Sequence, residues 1–436
     1  MDYVEFSKKS KELYELAKKY LPGGVTYHIR AIEPYPFYVV RAKGSRVWDV
    51  DGNEYIDFWM AHGAAVLGHN YDAIINVVKD QLEYGIHFGW SNEWEIKWAE
   101  AVCRWFDMDK VRPSNSGTEA NMYAIRLARA YTGRRKVGKF AGGWHGGYDG
   151  LHKAVAYPFD KPSSLGLTDC VQNDIVILPY NDLEGVYEKV KNEELAAIII
   201  EPILGAGGAI PAERDFLKGL RELCDEKGIV LIFDEVITGF RFYKGAQHYY
   251  GVKPDIITTG KAVGGQYFPG AGAICGVEEI MDLIDHTKRK NFWERVFHGG
   301  TYTGNALTMR AGYTLIRELE TKKDKIFPYL DSLGEKFRKK LEEIFQDYGV
   351  EALVTGLSSM IGIHFTKAKK LDPAEISKTK DFDAMKKLHR HMLNNKIVYL
   401  SPFTPHLFLS IAHTKDDVEQ FLKQTEIFLK ETKKSV

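Results

Sequence analysis

The stretch Glu213–Val236, "ERDFLKGLRELCDEKGIVLIFDEV", decides the fold class of this chain. Its first half carries apolar residues at helical spacing, namely Phe216, Leu217, Leu220 and Leu223. Its second half, from Gly228, is a short apolar run that ends in two acids, and this predicts a buried strand. A helix followed at once by a buried strand is typical of an α/β protein whose sheet is mostly parallel.

Similar apolar runs recur on either side of this stretch. They are "KVGKFAGG" from Lys136, "DIVILPYND" from Asp174, "LAAIIIEP" from Leu195, "DIITTGK" from Asp255 and "AGAICG" from Ala271. Beyond about Ala311 the pattern changes to long charged helices and short strands, which predicts a smaller α+β domain. We therefore expect an N-terminal segment (1–80) that is part of the small domain, a large domain (81–310) and a C-terminal small domain (311–436).

Composition narrows the class of protein. Among 436 residues, Lys+Arg and Asp+Glu both number 59, and no basic block indicates nucleic-acid binding. The most apolar stretch, "LAAIIIEPILGAGGAI", is too short and too interrupted to cross a membrane. Four cysteines without CxxC spacing indicate a reduced, cytoplasmic enzyme. His389 and His391 lie two apart on a helix, so no metal site is expected.

Two charged residues follow predicted strands. Lys261 ends the run in "DIITTGKAVGG", and Asp234 ends the run in "LIFDEVITGFR". Ligands of such sheets bind at the carboxyl ends of the strands, so both side chains are expected to face one crevice. Two simpler alternatives stay open: Lys261 opens a solvated loop, and Asp234 forms a structural ion pair with Arg241.

The stretch "NSGTEANMYAIRLARAYTG", from Asn115, predicts a helix. Its apolar stripe consists of Ala120, Ala124, Leu127 and Tyr131, and it ends before Gly133. Ser116, Gly117 and Thr118 precede the stripe, and small residues at a helix N-terminus leave backbone N–H groups free to bind a phosphate. An ordinary N-cap is the alternative.

The segment "AGGWHGGYDG" places Trp144 and His145 between glycine pairs. Glycines allow close approach of a ligand, and the indole offers a stacking face; a turn with a half-buried Trp is the alternative. A phosphate site, an aromatic face, a carboxylate and a lone lysine together predict a pyridoxal phosphate (PLP) site. The lysine would form a Schiff base with the aldehyde, and the carboxylate would keep the pyridine nitrogen protonated.

Five specific motifs carry a resemblance to a known family: "NSGTEA", an aromatic-His-Gly triplet, "IFDEVITGFR", "PDIITTGK" and "HGGTYTGN". The resemblance runs from about Leu21 to near the C-terminus. The chain resembles the class III aminotransferases, which have the aspartate aminotransferase-like PLP fold type I, and within them the glutamate-1-semialdehyde aminomutase group. The resemblance implies that Lys261 and Asp234 are catalytic. It assigns cofactor contacts to Ser116, Gly117, Thr118, Trp144, His145, Val236 and Thr301. Thr301 would complete the partner's phosphate site, which implies a homodimer.

The chain departs from that group at positions that line the substrate side in the family. His62 precedes Gly63 and Trp90 appears in "HFGWSN", whereas Arg30, in "TYHIRA", is retained among changed neighbours. Arg30 is the candidate to grip a substrate carboxylate with both nitrogens, with a surface arginine as the alternative. We expect Arg30, His62 and Trp90 to bind the substrate.

The sequence thus predicts a PLP-dependent aminotransferase that moves an amino group from an amino acid or amine to a keto acid or aldehyde. Three PLP alternatives stay open: a glutamate-1-semialdehyde 2,1-aminomutase, an amino-acid racemase or epimerase, and a β-amino-acid aminotransferase. A nucleotide-binding protein is disfavoured because no GxxxxGK[ST] motif occurs. A catalytically inactive member is disfavoured because Lys261, Asp234 and Thr301 are all present.

Overall fold

The computed structural model describes residues 2–400 and 406–434. The strands are β1 (Val39–Lys43), β2 (Arg46–Asp49), β3 (Glu54–Asp57), β4 (Lys110–Ser114), β5 (Lys136–Phe140), β6 (Ile175–Leu178), β7 (Leu195–Ile200), β8 (Ile203–Leu204), β9 (Ile210–Pro211), β10 (Val230–Asp234), β11 (Ile256–Gly260), β12 (Gly272–Gly276), β13 (Ala352–Thr355), β14 (Met360–Phe365), β15 (Ile397–Val398) and β16 (His406–Phe408).

The helices are α1 (Tyr3–Phe6), α2 (Lys8–Ala17), α3 (Met60–Gly63), α4 (Asp72–Tyr84), α5 (Glu93–Phe106), α6 (Gly117–Thr132), α7 (Asp169–Asn173), α8 (Leu183–Val190), α9 (Arg214–Lys227), α10 (Gly245–Tyr250), α11 (Glu278–Met281), α12 (Ala306–Thr321), α13 (Lys323–Asp347), α14 (Pro373–Lys378), α15 (Phe382–Asn394) and α16 (Lys415–Lys434). Short 3-10 turns occur at Pro22–Gly24, His28–Arg30, Asp149–Leu151, Thr238–Phe240, Lys261–Gly264, Asp282–Ile284 and Phe292–Glu294. Within the described ranges, no helix combines the length and the apolar character needed to cross a bilayer.

The chain separates into two compact units. The first takes in the described residues of 1–71, 328–370 and 379–436, and the second consists of 72–327 and 371–378. The domain limits predicted from the sequence lie after residues 80 and 310, whereas these divisions lie after residues 71 and 327. In the first unit, one sheet has the order β1-β2-β3-β15 and another the order β13-β14-β16.

A seven-stranded sheet with the order β4-β12-β11-β10-β7-β5-β6 forms the centre of the second unit. Each of the six apolar runs predicted as strands is a strand of this sheet. β11, β10, β7, β5 and β6 pair in parallel, whereas β12 pairs antiparallel with both β11 and β4. The α/β fold class and the mostly parallel sheet are therefore confirmed.

β4, with the sequence "KVRPS", is the strand of this sheet that the apolar runs do not predict. It lies at the edge of the sheet and pairs with β12 alone. Pro113 lacks a backbone N–H, and an edge strand tolerates this because one of its sides needs no partner in the sheet. β4 leads directly to Ser116, so the strand that is hardest to predict positions the N-terminus of α6.

α6 packs against the sheet through the apolar stripe that its sequence predicts. Ala120, Ala124 and Leu127 are completely buried in a core shared with residues of β5, β7, β10, β11 and β12. Gly133 ends the helix in the left-handed conformation, with φ of +69°. Tyr131, at the end of the predicted apolar stripe, is 44% exposed, and its hydroxyl donates a hydrogen bond to Glu279.

The short α3 of the first unit differs from the other helices. Met60, Ala61, His62 and Gly63 have consecutive φ values of +49°, +52°, +59° and +77°, so the turn is left-handed. Such angles are strained for residues other than glycine. Asp57 stabilises the turn, since its Oδ1 accepts hydrogen bonds from the backbone N–H groups of Trp59 (2.7 Å) and Met60 (3.2 Å).

Candidate active site

The candidate site lies in the second unit, at the carboxyl ends of the neighbouring strands β10 and β11. Asp234 is the last residue of β10, and Lys261 directly follows β11. Lys261 has a φ of +48°, a strained value for a lysine, and backbone strain of this kind is concentrated at functional sites. Burial lowers the pKa of the Lys261 ammonium, and the negative charges of Asp234 and Glu201 oppose this shift. Lys261 therefore lies within electrostatic reach of two buried acids.

Three donors orient the carboxylate of Asp234. Its Oδ2 lies 2.7 Å from Nδ1 of His145 and accepts a hydrogen bond from Nδ2 of Asn121 at 2.8 Å. Its Oδ1 accepts a hydrogen bond from the backbone N–H of Val236 at 3.0 Å. The amide of Asn121 is fixed in turn, because its Oδ1 accepts the hydroxyl proton of Thr258 at 2.5 Å. The carboxylate is thus held rigidly at the strand end.

His145 is buried beside this carboxylate, and its tautomer follows from the contacts. Since a carboxylate can only accept, Nδ1 of His145 carries the proton that faces Asp234. Its Nε2 is buried and has no hydrogen-bond partner. Burial lowers the pKa of His145, and the hydrogen bond and charge of Asp234 oppose that shift. A neutral His145 that donates from Nδ1 leaves the negative charge on Asp234.

The predicted phosphate site lies at the N-terminus of α6. Ser116 is the N-cap, and its Oγ accepts a hydrogen bond from the backbone N–H of Glu119 at 3.2 Å. A Cβ at Gly117 would lie only 2.8 Å from Cγ2 of Val236, so this approach requires glycine. A Cβ at Gly146 would lie 2.0 Å from Oγ1 of Thr118.

Two glycines therefore allow this helix terminus to pack closely against the segment of Trp144 and the end of β10. The helix terminus can hold an anion, Asp234 can hold a protonated ring nitrogen, and Lys261 offers an amine. This donor set fits PLP. The structure thus brings together, in one unit, the predicted residues Ser116, Gly117, Thr118, Trp144, His145, Asp234, Val236 and Lys261.

Glu201 and Lys139 are among the buried charged residues of this region that were not predicted as site residues. Glu201 follows β7, and its carboxylate accepts hydrogen bonds from the backbone N–H groups of Trp144 (2.7 Å) and Gly205 (2.9 Å). Burial, with the charge of Asp234, raises the pKa of Glu201 to about 8. Lys139 lies inside β5 and is completely buried. A charge within or directly after an otherwise apolar run is the signal that could have identified both.

Four predicted site residues belong to other segments of the chain. Arg30 is an exposed residue of the first unit, and its Nη1 donates a hydrogen bond to Thr26 at 2.8 Å. His62, also of the first unit, is half-buried, and the centroid of its ring lies 4.6 Å from that of Trp59. The roles of Arg30 and His62 in substrate binding stay predictions.

Trp90 and Thr301 are exposed residues of the second unit, Trp90 by 83%. Their segments are neighbours, because Asn92 Nδ2 donates a hydrogen bond to the carbonyl of Gly304 at 3.0 Å. Among the described residues, no group of three or more His, Cys, Asp or Glu side chains could hold a metal ion.

Comparison with known proteins agrees with this chemistry. The family model "Aminotransferase class-III" matches residues 27–421. The chain is 39% identical over 432 residues to a glutamate-1-semialdehyde 2,1-aminomutase of Caldicellulosiruptor saccharolyticus, with 98% of this chain and 99% of that protein covered. This name favours the aminomutase alternative over the aminotransferase reading of the sequence.

Two solved structures share the fold. An omega-transaminase from Sphaerobacter thermophilus superposes with a TM-score of 0.88 at 34% identity, covering 97% of both chains. A β-phenylalanine aminotransferase from Variovorax paradoxus superposes with a TM-score of 0.87 at 30% identity, covering 98% of this chain and 95% of that chain. The chain therefore belongs to the class III aminotransferase family, with PLP fold type I and pyridoxal 5'-phosphate as its cofactor.

Proposed function

We propose that this protein is an aminomutase that moves an amino group between neighbouring carbons of one substrate, as the name of its 39% identical relative describes. The observation that carries amino-group chemistry is the position of Lys261, directly after β11 and within electrostatic reach of Asp234 and Glu201. The bound PLP supplies an aldehyde that reacts with amines and a ring that accepts electrons.

In this proposal the residues of the candidate site have separate roles. Burial favours the neutral amine of Lys261, which can take a proton from the substrate carbon and return it elsewhere. Asp234, held by His145 and Asn121, would keep the ring nitrogen protonated. Ser116, Gly117 and Thr118 at the start of α6 would hold the phosphate.

An aminotransferase acting between two substrates is the second candidate. It is supported by the two transaminases at 34% and 30% identity. It is also supported by the sequence at His62 and Trp90, where this chain departs from the aminomutase group. A racemase or an epimerase would use the same lysine and stays a third possibility.

One assay separates these reactions. Purified holoenzyme is given glutamate-1-semialdehyde with no second substrate, and the product is identified by mass spectrometry and NMR. An aminomutase forms the isomeric amino compound catalytically, and a ¹⁵N label in the substrate stays in the product. An aminotransferase that uses the semialdehyde as both donor and acceptor instead forms a diamino acid and a dicarbonyl acid in equal amounts, and a racemase only inverts the stereocentre. Lys261→Ala is the control, because loss of the amine should abolish all three reactions.

We further propose that the protein acts as a homodimer. Large apolar side chains are exposed around Thr301, at Ile86 (50%), Phe88 (44%), Trp90 (83%) and Tyr302 (62%). Exposed apolar surface of this extent is typical of a protein interface. Sedimentation equilibrium should give twice the 49.6 kDa mass of the chain. Trp90→Arg with Tyr302→Arg should produce monomers, and a wild-type monomer would contradict the proposal.

A further inference from the structure

Lys139 is a buried lysine that the proposed chemistry does not use. It lies within β5 and is completely buried. Its Nζ donates hydrogen bonds to the backbone carbonyls of Gly143 at 2.9 Å and Lys153 at 2.6 Å. The ammonium group therefore bridges the two ends of the segment Gly143–Lys153, which carries Trp144 and His145.

One peptide group of this segment lies between two charged side chains. The carbonyl of the Gly143–Trp144 peptide accepts the hydrogen bond from Lys139, and the N–H of the same peptide donates to Oε1 of Glu201 at 2.7 Å. The other oxygen of Glu201 accepts the N–H of Gly205 at 2.9 Å. Hydrogen bonds to ionised partners are about twice as strong as neutral ones. The plane of this peptide is thus fixed from both sides.

The electrostatics of the pair agree with this geometry. Burial lowers the pKa of Lys139 to about 7, and the charge of Glu201 opposes that shift. Glu201 also faces Asp234, which raises its pKa further, and Lys261, which lowers it. Burial raises the pKa of the Tyr180 phenol, and the charge of Glu201 raises it further. A buried charge without a counter-charge is costly, and the negative charge of Glu201 stabilises the ionised form of Lys139.

We propose that Lys139 is a positioning residue that acts with Glu201 through the Gly143–Trp144 peptide. The pair sets the direction in which the chain leaves β5. It thereby places the indole of Trp144 and the imidazole of His145, which donates to Asp234. The inference rests on the proposed function, because it takes Trp144 and Asp234 as contacts of the cofactor.

The test compares two lysines of the same strand. In Lys139→Met the side chain keeps its length but loses the charge and both hydrogen bonds. The matched control is Lys136→Met, because Lys136 is also in β5 but forms a partly exposed ion pair with Glu193 at 2.6 Å. The measurements are the dissociation constant of PLP, from absorbance titration of the apoprotein, and the Tm of that apoprotein. We expect at least a tenfold weaker affinity for Lys139→Met and less than a twofold change for Lys136→Met. A change below twofold for Lys139→Met overturns the inference.

A double-mutant cycle tests the coupling that a merely structural lysine would not show. Glu201→Gln and the double variant Lys139→Met with Glu201→Gln complete the cycle. Because the double variant contains no unpaired charge, its affinity loss should be at least about fivefold smaller than the product of the single losses. Losses that multiply would overturn the inference.

If Lys139→Met does not fold, Lys139→Gln replaces it in the same cycle, with the same criteria, since it keeps a donor without the charge. Failure of the wild-type protein to bind PLP would contradict the proposed function instead. Normal binding by wild type together with independent effects of the two residues contradicts only the role of Lys139.

Discussion

Replacement of Asp234 by asparagine tests the centre of the proposed site with the smallest change in shape. In the structure, Oδ2 of Asp234 faces two donors, Nδ1 of His145 at 2.7 Å and Nδ2 of Asn121 at 2.8 Å. Oδ1 accepts the N–H of Val236. If the asparagine keeps its oxygen on Val236, its NH₂ group faces both donors.

The neighbouring side chains Asn121 and His145 cannot adapt to the asparagine without losing a hydrogen bond or burying an unpaired donor. Asn121 cannot rotate its amide without breaking the bond that it accepts from Thr258. His145 can accept at Nδ1 only by moving its proton to Nε2, which is buried and without a partner. A buried unpaired donor costs about 1–3 kcal/mol. The variant therefore loses the negative charge and also disorders the ring that supports it.

We expect Asp234→Asn to reduce kcat by about 10²- to 10³-fold, the range that corresponds to removing one preorganised electrostatic group. The assay is turnover of the PLP-saturated variant, with far-UV circular dichroism to show that the fold is kept. A loss of less than about tenfold would refute the reasoning and would identify Asp234 as a structural residue.

The neighbouring acid provides the control. Glu235 accepts hydrogen bonds from the backbone N–H groups of Ala246 and Gln247 at the start of α10, both at 2.8 Å, and from the hydroxyl of Thr238 at 2.7 Å. Glu235→Gln should therefore lower the free energy of unfolding by about 1–3 kcal/mol. Its kcat at saturating PLP should stay within threefold of wild type, so two adjacent buried acids should separate catalysis from stability.

Three further predictions concern other parts of the chain. Gly146→Ala should weaken PLP binding at least tenfold in an absorbance titration, because its Cβ would collide with Thr118, whereas Gly147→Ala, with open space around it, should change binding less than twofold. Arg30→Lys should raise KM at least tenfold for substrates with a carboxylate and leave KM for simple amines unchanged; equal effects on both would show that Arg30 is not the clamp. Burial lowers the pKa of His389 to about 4, so its contribution to stability is present above pH 6.5 and is lost as the pH falls toward 4. In urea denaturation between pH 7 and 4.5, His389→Gln should reduce this loss by up to about 3 kcal/mol, and an unchanged pH dependence would contradict the assignment.

The sequence could predict those features that depend on neighbours along the chain. Hydrophobic periodicity predicted the strands of the large sheet except β4, whose Lys110, Arg112 and Pro113 interrupt the apolar pattern. The sequence also predicted both ends of α6, because a serine N-cap and a glycine after the last turn are local signals. The reversed direction of β12 could not be predicted, since strand periodicity is the same in both directions.

The same distinction applies to the candidate site: residues marked by their neighbours in the sequence could be predicted, and contacts between distant residues could not. Lys261 and Asp234 could be singled out because each charge ends an apolar run. The contact of Asp234 with His145 joins residues 89 positions apart, and the contact of Asn121 with Thr258 joins residues 137 positions apart. The role of Lys139 could not be predicted, because only the folded chain brings the carbonyls of Gly143 and Lys153 to its ammonium group.

The pairing of β3 with β15 has a consequence for synthesis of the protein on the ribosome. β3 ends at Asp57, whereas its parallel partner begins at Ile397, about 340 residues later. At typical translation rates of about 5–20 residues per second, this edge of β3 stays unpaired for roughly 20–70 s. The second unit consists of residues 72–327 and the short segment 371–378, all of which are made before β15. It can therefore fold during that interval. An unpaired strand edge is a template for aggregation, so slowed translation beyond residue 327 should increase the yield of insoluble chains.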